Sequence, residues 1–204
     1  MSSRISQHPI IDPVRRRIAL TGGIGSGKSY VCRQLERLGY PVFYCDEEAW
    51  RIVRTDPVVH DALVQLVGSR VYTPDGELCK PVLREYLCGG QTNASQVDAI
   101  VHPRVGEAFG QWAVRQSSAR VFMECALLFE AGFNRYVDAT ILVSAPLEMR
   151  IARVMSRDGI SRSKVLEWMA LQMPEAEKAR RADYIVLNDG TADIAAELKR
   201  LLAG

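Results

Sequence analysis

Eight consecutive residues, Gly22-Gly23-Ile24-Gly25-Ser26-Gly27-Lys28-Ser29, satisfy the pattern G-x-x-x-x-G-K-[ST]. Glycines let a backbone curl so that several N–H groups point inward at phosphate oxygens. A helix opening at Lys28 adds its positive dipole end to that cradle. The Lys28 ammonium can reach the β- and γ-phosphates, and the Ser29 hydroxyl can ligate Mg²⁺. A chain of 204 residues meets this pattern by accident roughly once in a hundred. The motif sits between a predicted strand and a predicted helix, as its chemistry requires. Neither D-x-x-G nor N-K-x-D occurs in the sequence, so the usual GTPase switch and guanine reader are missing.

Two carboxylates and a group of arginines could complete such a site. Asp46 directly follows a predicted strand, and the carboxyl ends of parallel strands line the ligand crevice of an open sheet. It could take the proton of an attacking hydroxyl. It could equally cap the helix that Glu47, Glu48 and Ala49 begin, since aspartate caps well. Glu124 closes another strand and could sit near the magnesium water shell, or be an edge carboxylate held by a nearby arginine. Arg150, Arg153 and Arg157 fall on one helical surface. They could stabilise charge on a transferring phosphoryl group, or form a solvated face paired with Glu148 and Asp158.

These side chains need a scaffold. Arg17–Thr21 reads as a short buried strand before the glycine-rich turn. Lys28–Leu38 has helical spacing, with Val31, Leu35 and Leu38 on one face and Gly39 as its stop. Pro41–Cys45 reads as a second strand. From Asp46 to about Ser118 the pattern is mostly helical, with a turn at Asp75-Gly76 and helices at Lys80–Leu87 and Val97–Gln116. His102-Pro103 must start, kink or break the last of these. Val121–Cys125, Ala139–Ser144 and Tyr184–Leu187 read as further strands, Pro146 as the start of a helix, and Thr191–Leu202 as a closing helix. Strands alternating with helices predict a doubly wound α/β sheet.

Composition sets the outer limits. The chain is 48% apolar with a net charge of +2, enough for one core and too mild to imply a nucleic-acid or membrane-surface partner. Five cysteines, Cys32, Cys45, Cys79, Cys88 and Cys125, form no C-x-x-C pair, which fits a reducing, cytoplasmic compartment. No apolar run approaches the ~18 residues of a membrane span. No obligate protein partner is evident.

Taken together, the motifs resemble the dephospho-CoA kinase family. Ile18–Ser29 matches the family opening almost letter for letter. Asp46 matches the second aspartate of its D-x-D, the base for a ribose 3′-hydroxyl. Asp75-Gly76, Leu78 and Leu83 resemble a further family stretch, and His102-Pro103-Arg104-Val105 its H-P-[KR]-[IV] motif in the CoA-facing helical domain. Leu127-Leu128-Phe129-Glu130 matches the end of P-L-L-F-E. Arg153, Arg157-Asp158 and Gln172 match the lid. Lys178, Ala182-Asp183 and Asn188-x-Gly190 match the C-terminal signature, with its adenine-side loop. Tyr44, Ala126, Arg150, Trp168 and Tyr30 depart from the usual aspartate, proline, glutamine, arginine and threonine. None of these removes a group the chemistry requires.

The resemblance implies a P-loop NTPase fold: three layers, α/β/α, on a five-stranded parallel sheet of order 2-3-1-4-5, with a helical substrate domain and a lid. Residues 1–16 are expected as a loose tail. Residues 17–45, 119–145 and 173–204 would form the nucleotide-binding core, 46–118 the helical dephospho-CoA-binding insert, and 146–172 the lid. ATP and Mg²⁺ would be the cofactors and dephospho-CoA the substrate. Gly23, Ile24, Gly25, Ser26, Gly27, Lys28, Ser29, Tyr30, Arg157, Asn188 and Gly190 would bind nucleotide, with Ser29 on the metal. Asp46, His102, Arg104, Leu128 and Glu130 would bind the acceptor, and Asp46, Lys28, Arg153 and Arg157 would carry the chemistry. The alternatives are another small-molecule P-loop kinase, or a nucleotide-dependent binding protein.

Overall fold

The computed structural model describes residues 16–203. The chain divides into two compact units: Tyr44–Trp112, and the described residues on either side of it. The reading of residues 1–15 as a tail lies outside the described residues. Arg16, assigned to that tail, already belongs to the first strand.

A five-stranded sheet organises the larger unit. β1 (Arg16–Thr21), β2 (Val42–Tyr44), β3 (Arg120–Glu124), β4 (Ala139–Ser144) and β5 (Tyr184–Leu187) lie in the order β2-β3-β1-β4-β5. β1 is parallel to β3 on one side and β4 on the other, and β4 is parallel to β5. Central strands covered on both faces must be apolar runs rather than alternating ones. Ile18, Ala19, Leu20, Ile141, Leu142 and Val143 accordingly have no exposed surface. The sheet order and the α/β class agree with expectation.

Helix α1 (Lys28–Arg37) buries Val31, Cys32 and Leu35. It closes with Tyr40 N–H on the Leu35 carbonyl (3.0 Å) and Gly39 N–H on that of Glu36 (2.9 Å), the paired bonds of a Schellman end. Burial, then the nearby Glu124 carboxylate, push the Cys32 thiol up to about 12, so it is inert at neutral pH. Asp183 ties β5 to β4: its carboxylate accepts from the Thr140 N–H (2.8 Å) and hydroxyl (2.7 Å). That part of the C-terminal signature is therefore a sheet fastening.

The smaller unit holds α2 (Cys45–Thr55), α3 (Pro57–Val67), α4 (Lys80–Cys88) and most of α5 (Gln91–Arg115). The Asp75-Gly76 turn is present, with Gly76 N–H on Thr73 O (2.9 Å) and a bridge between Tyr72 and Leu78. Some boundaries here differ from the sequence reading. β2 stops at Tyr44, and Cys45 opens α2 with no intervening loop. α5 starts at Gln91 and runs through Pro103, which neither begins nor ends it. Val97, Val101, Val105 and Phe109 are buried at four-residue spacing, a continuous stripe whose packing outweighs the hydrogen bond proline removes.

Asp56 anchors this unit. One carboxylate oxygen caps α3, accepting from Val58 N–H (2.9 Å) and Val59 N–H (3.2 Å). The other takes Arg104 Nε (2.9 Å) and Nη2 (2.7 Å). Burial pushes the carboxyl up, but Arg104 and the two N–H groups prevail and leave it below the ordinary carboxylate range. Because the folded value lies below the unfolded one, this stabilisation is present at neutral pH and is lost as pH falls through the folded value. Asp56→Ala is expected to cost about 1–2 kcal/mol at neutral pH, read by thermal or urea melts. The gap to wild type should shrink in acid, where wild type also loses the carboxylate.

Candidate active site

The loop from Gly22 to Gly27 joins β1 to α1 and carries the sequence's candidate cradle. Gly27, the residue before α1, has φ 91°, a left-handed conformation that favours glycine. A Cβ there would collide with the Asn188 carboxamide nitrogen. At Gly22 a Cβ would lie 2.5 Å from the Val143 carbonyl oxygen. Lys28 Nζ donates to the Gly22 carbonyl (2.9 Å) and stands 4.0 Å from the Glu124 carboxylate. A cation beside Glu124 is thus this lysine. The Ser26 hydroxyl is buried without a hydrogen-bond partner among the described residues. An orphaned donor of this kind inside a glycine loop suits an incoming phosphate oxygen. Ser29 and Tyr30 are exposed.

The three arginines lie on α6 (Leu147–Asp158), but their environments diverge along its length. Arg150 is buried, bonded through Nε to the Ile24 carbonyl (2.9 Å) and paired with Glu175. Arg153 is half-buried and donates to the carbonyls of Gly25 (3.4 Å), Ser26 (3.4 Å) and Asn188 (3.1 Å). Arg157 is exposed and paired with Asp158. Glu148 pairs with Arg162, at the start of α7 (Arg162–Ala170), rather than with any of the three. The expected common face is therefore graded, from loop support at Arg150 and Arg153 to an accessible cation at Arg157.

Asn188 follows β5 and is buried, its side chain donating to the Ser26 carbonyl (2.9 Å). It holds the loop from behind. Gly190 takes φ 84° in the next turn. Glu130 pairs with Lys178 (2.9 Å) of α8 (Glu175–Arg181) and accepts from Met173 N–H (2.8 Å). Burial raises its carboxyl, but Lys178 and the amide win and hold it below the ordinary range. Lys178 has no exposed surface and also donates to Ala126 O (2.7 Å). A cleft of about 390 Å³ opens between Gly23, Arg150, Met169, Gln172, Glu175 and Lys178.

In the smaller unit, Asp46 is exposed in the first turn of α2. The helix begins one residue earlier, Tyr44 holds the capping position, and no side chain caps it. The capping role weighed for Asp46 is therefore overturned. One acceptor-side residue also needs correction. Leu128, in the larger unit, has no exposed surface and is a core side chain. The Arg104 guanidinium is taken up by Asp56 and Glu107. His102 lies one turn from Asp98, Nε2 to Oδ1 3.4 Å. Asp56 was legible in principle: an aspartate before proline at a helix start is a capping signature. Glu175 carried no local signal, because its partners Arg150 and Ser144 lie 25 and 31 residues away.

A glycine cradle after the central strand, its lysine opening the next helix, and this strand order define a P-loop nucleotide-binding protein of the kinase type. The comparisons with known proteins narrow the class. The family model described as CoaE, dephospho-CoA kinase, matches residues 16–193. A dephospho-CoA kinase of Bacteroides fragilis is 42% identical over 92% of this chain and 91% of its own. The solved structure of TT1252 from Thermus thermophilus superposes with a TM-score of 0.80 at 36% identity, covering 93% of this chain and 97% of that one. The dephospho-CoA kinase from Campylobacter jejuni shares the fold, with a TM-score of 0.67 at 20% identity over 92% and 95% of the two chains. The chain belongs to the dephospho-CoA kinase family.

Proposed function

We propose that this protein transfers the γ-phosphate of ATP to the ribose 3′-hydroxyl of dephospho-CoA, giving ADP and CoA. The observation that carries this reading is the cradle itself: an orphaned Ser26 hydroxyl and the Lys28 ammonium in a glycine loop, within a chain matched to the family from residue 16 to 193. The acceptor oxygen forms the new bond to γ-phosphorus. The bridging oxygen leaves with ADP, and the hydroxyl proton passes to the Asp46 carboxylate. Loop amides and Lys28 hold the phosphates and oppose the charge that spreads over them. Mg²⁺ would neutralise phosphate charge and fix phosphate geometry when bound. Ser29 would hold it. Among the described residues no group of three His, Cys, Asp or Glu could bind a metal, which suits an ion carried largely by phosphates and water.

We assign residues 46–118 to acceptor binding and 146–172 to a lid over the nucleotide. The separate compactness of Tyr44–Trp112 supports the first of these. Asp46, His102 and Arg104 remain the acceptor-side candidates in the smaller unit, with Glu130 as a candidate in the larger one. Five free cysteines support a cytoplasmic setting, and no helix among the described residues is long and apolar enough to cross a membrane.

ADP release measured with dephospho-CoA, shikimate, gluconate and nucleosides tests the acceptor. Release that depends on dephospho-CoA alone is expected; equal release with another acceptor would replace the reading by a different small-molecule kinase. Arg157→Ala tests the lid. Its exposed position predicts a stability change below about 0.5 kcal/mol, together with reduced turnover. A variant that melts much lower yet turns over normally would make Arg157 structural.

A further inference from the structure

Ile24 is the one bulky side chain in the first half of the cradle, flanked by Gly22, Gly23 and Gly25. Three separate contacts fasten it. Its N–H donates to Gln172 Oε1 (2.9 Å). Its carbonyl accepts from Arg150 Nε (2.9 Å). Its side chain packs on Ile151, Val154 and Val165, beside Ile160 and Met169. Those residues span α6, α7 and their connection, so one loop residue is plugged into the small core of the lid segment.

Arg150 is itself fixed. Its guanidinium pairs with Glu175, which also takes the Ser144 hydroxyl at the end of β4. Any Cβ at Gly23 would collide with the guanidinium, so the glycine leaves room for the arginine. The resemblance places glutamine at this position, and an uncharged side chain could not neutralise Glu175.

We propose that Ile24 is the joint through which the lid positions the phosphate loop, with Arg150 and Gln172 as positioning residues, so that nucleotide affinity depends on lid packing. Loop amides can bind phosphate without reorganisation only if their aim is already set. Gripping Ile24 at N–H, C=O and side chain sets the middle of the loop. The same grip transmits nucleotide occupancy back to α7. The proposal rests on reading the loop as a nucleotide cradle and does not depend on the acceptor.

The test uses the full chain and a non-hydrolysable ATP analogue, with wild type, Ile24→Ala, Ile24→Val and Gln172→Ala. Calorimetry should show affinity falling about tenfold in Ile24→Ala and Gln172→Ala and largely restored in Ile24→Val. The KM for ATP should rise while that for dephospho-CoA stays unchanged. Hydrogen exchange within α7 should slow on adding the analogue to wild type, and not in Ile24→Ala. Wild-type affinity in Ile24→Ala would overturn the proposal. So would affinity losses that merely follow thermal stability, with valine no better than alanine. An α7 indifferent to the analogue in wild type would also overturn it. Failure of wild type to bind the analogue would remove the cradle reading as well, whereas an inactive acceptor with intact binding would leave the joint standing.

Discussion

Lys28→Ala is expected to lower turnover by about 10²–10³-fold or more while the protein remains folded. The loss follows from removing a pre-positioned cation where phosphoryl charge develops, an effect of that size at comparable electrostatic sites. The structure sharpens the folding half of the expectation. Lys28 is largely buried, bonded to Gly22 O at 2.9 Å and 4.0 Å from Glu124. Some stability should therefore be lost, on the order of 1 kcal/mol as for most single substitutions. Circular dichroism and a thermal melt check the fold, and steady-state ADP release checks turnover. Near-wild-type turnover would remove the loop from the chemistry.

Asp46→Asn is the second large effect. A positioned base contributes typically 10²–10⁴-fold, about 3–5 kcal/mol of barrier. Asparagine keeps the size and cannot act as a carboxylate base at neutral pH. Asp46 does not cap α2, because Tyr44 holds that position. Its structural contribution is limited to a negative charge near a helix N-terminus, about 0.3–1 kcal/mol. The variant should melt within a few degrees of wild type, bind ATP normally, and lose at least about a hundredfold in turnover. A dissociative transition state calls for proton removal late in the step, so part of the loss would reflect poorer orientation of the 3′-hydroxyl. A variant keeping more than about a tenth of wild-type turnover would deny Asp46 the base role.

The sheet was legible because its central strands are buried on both faces. Ala139–Ser144 is such an apolar run and matches the structure; Tyr184–Leu187 also matches, although it is the edge strand and leaves Ile185 and Leu187 exposed. The end of β2 was not legible: Cys45 is buried, and burial looks the same in a last strand residue as in a first helical one. Gln91-Thr92-Asn93-Ala94-Ser95 hid the start of α5 because it has no large apolar residue to set a helical period. α9 (Ile194–Leu202) begins later than expected, since Asp193 caps it through Ala196 N–H (3.0 Å) and Asp189 ties Thr191 into a preceding turn.

The site was legible where chemistry is local and obscure where it depends on distant partners. Glycine spacing and a following lysine declare a cradle by themselves. Helical spacing put Arg150, Arg153 and Arg157 on one face, but it could not say how deep each would lie. That depth is decided by Glu175 for Arg150 and by the carbonyls of Gly25, Ser26 and Asn188 for Arg153. The motif around Arg104 stands out in sequence, but its pairing with Asp56, 48 residues away, carries no local signal.

The most direct measurement follows the phosphate itself. ATP and dephospho-CoA are incubated with the protein, and the product is resolved by chromatography, mass and phosphorus NMR. One new phosphomonoester on the ribose 3′-oxygen of the acceptor is expected, with one ADP per product, both absent when dephospho-CoA is withheld. ADP formed with inorganic phosphate alone, at a rate indifferent to dephospho-CoA, would contradict transfer to the acceptor.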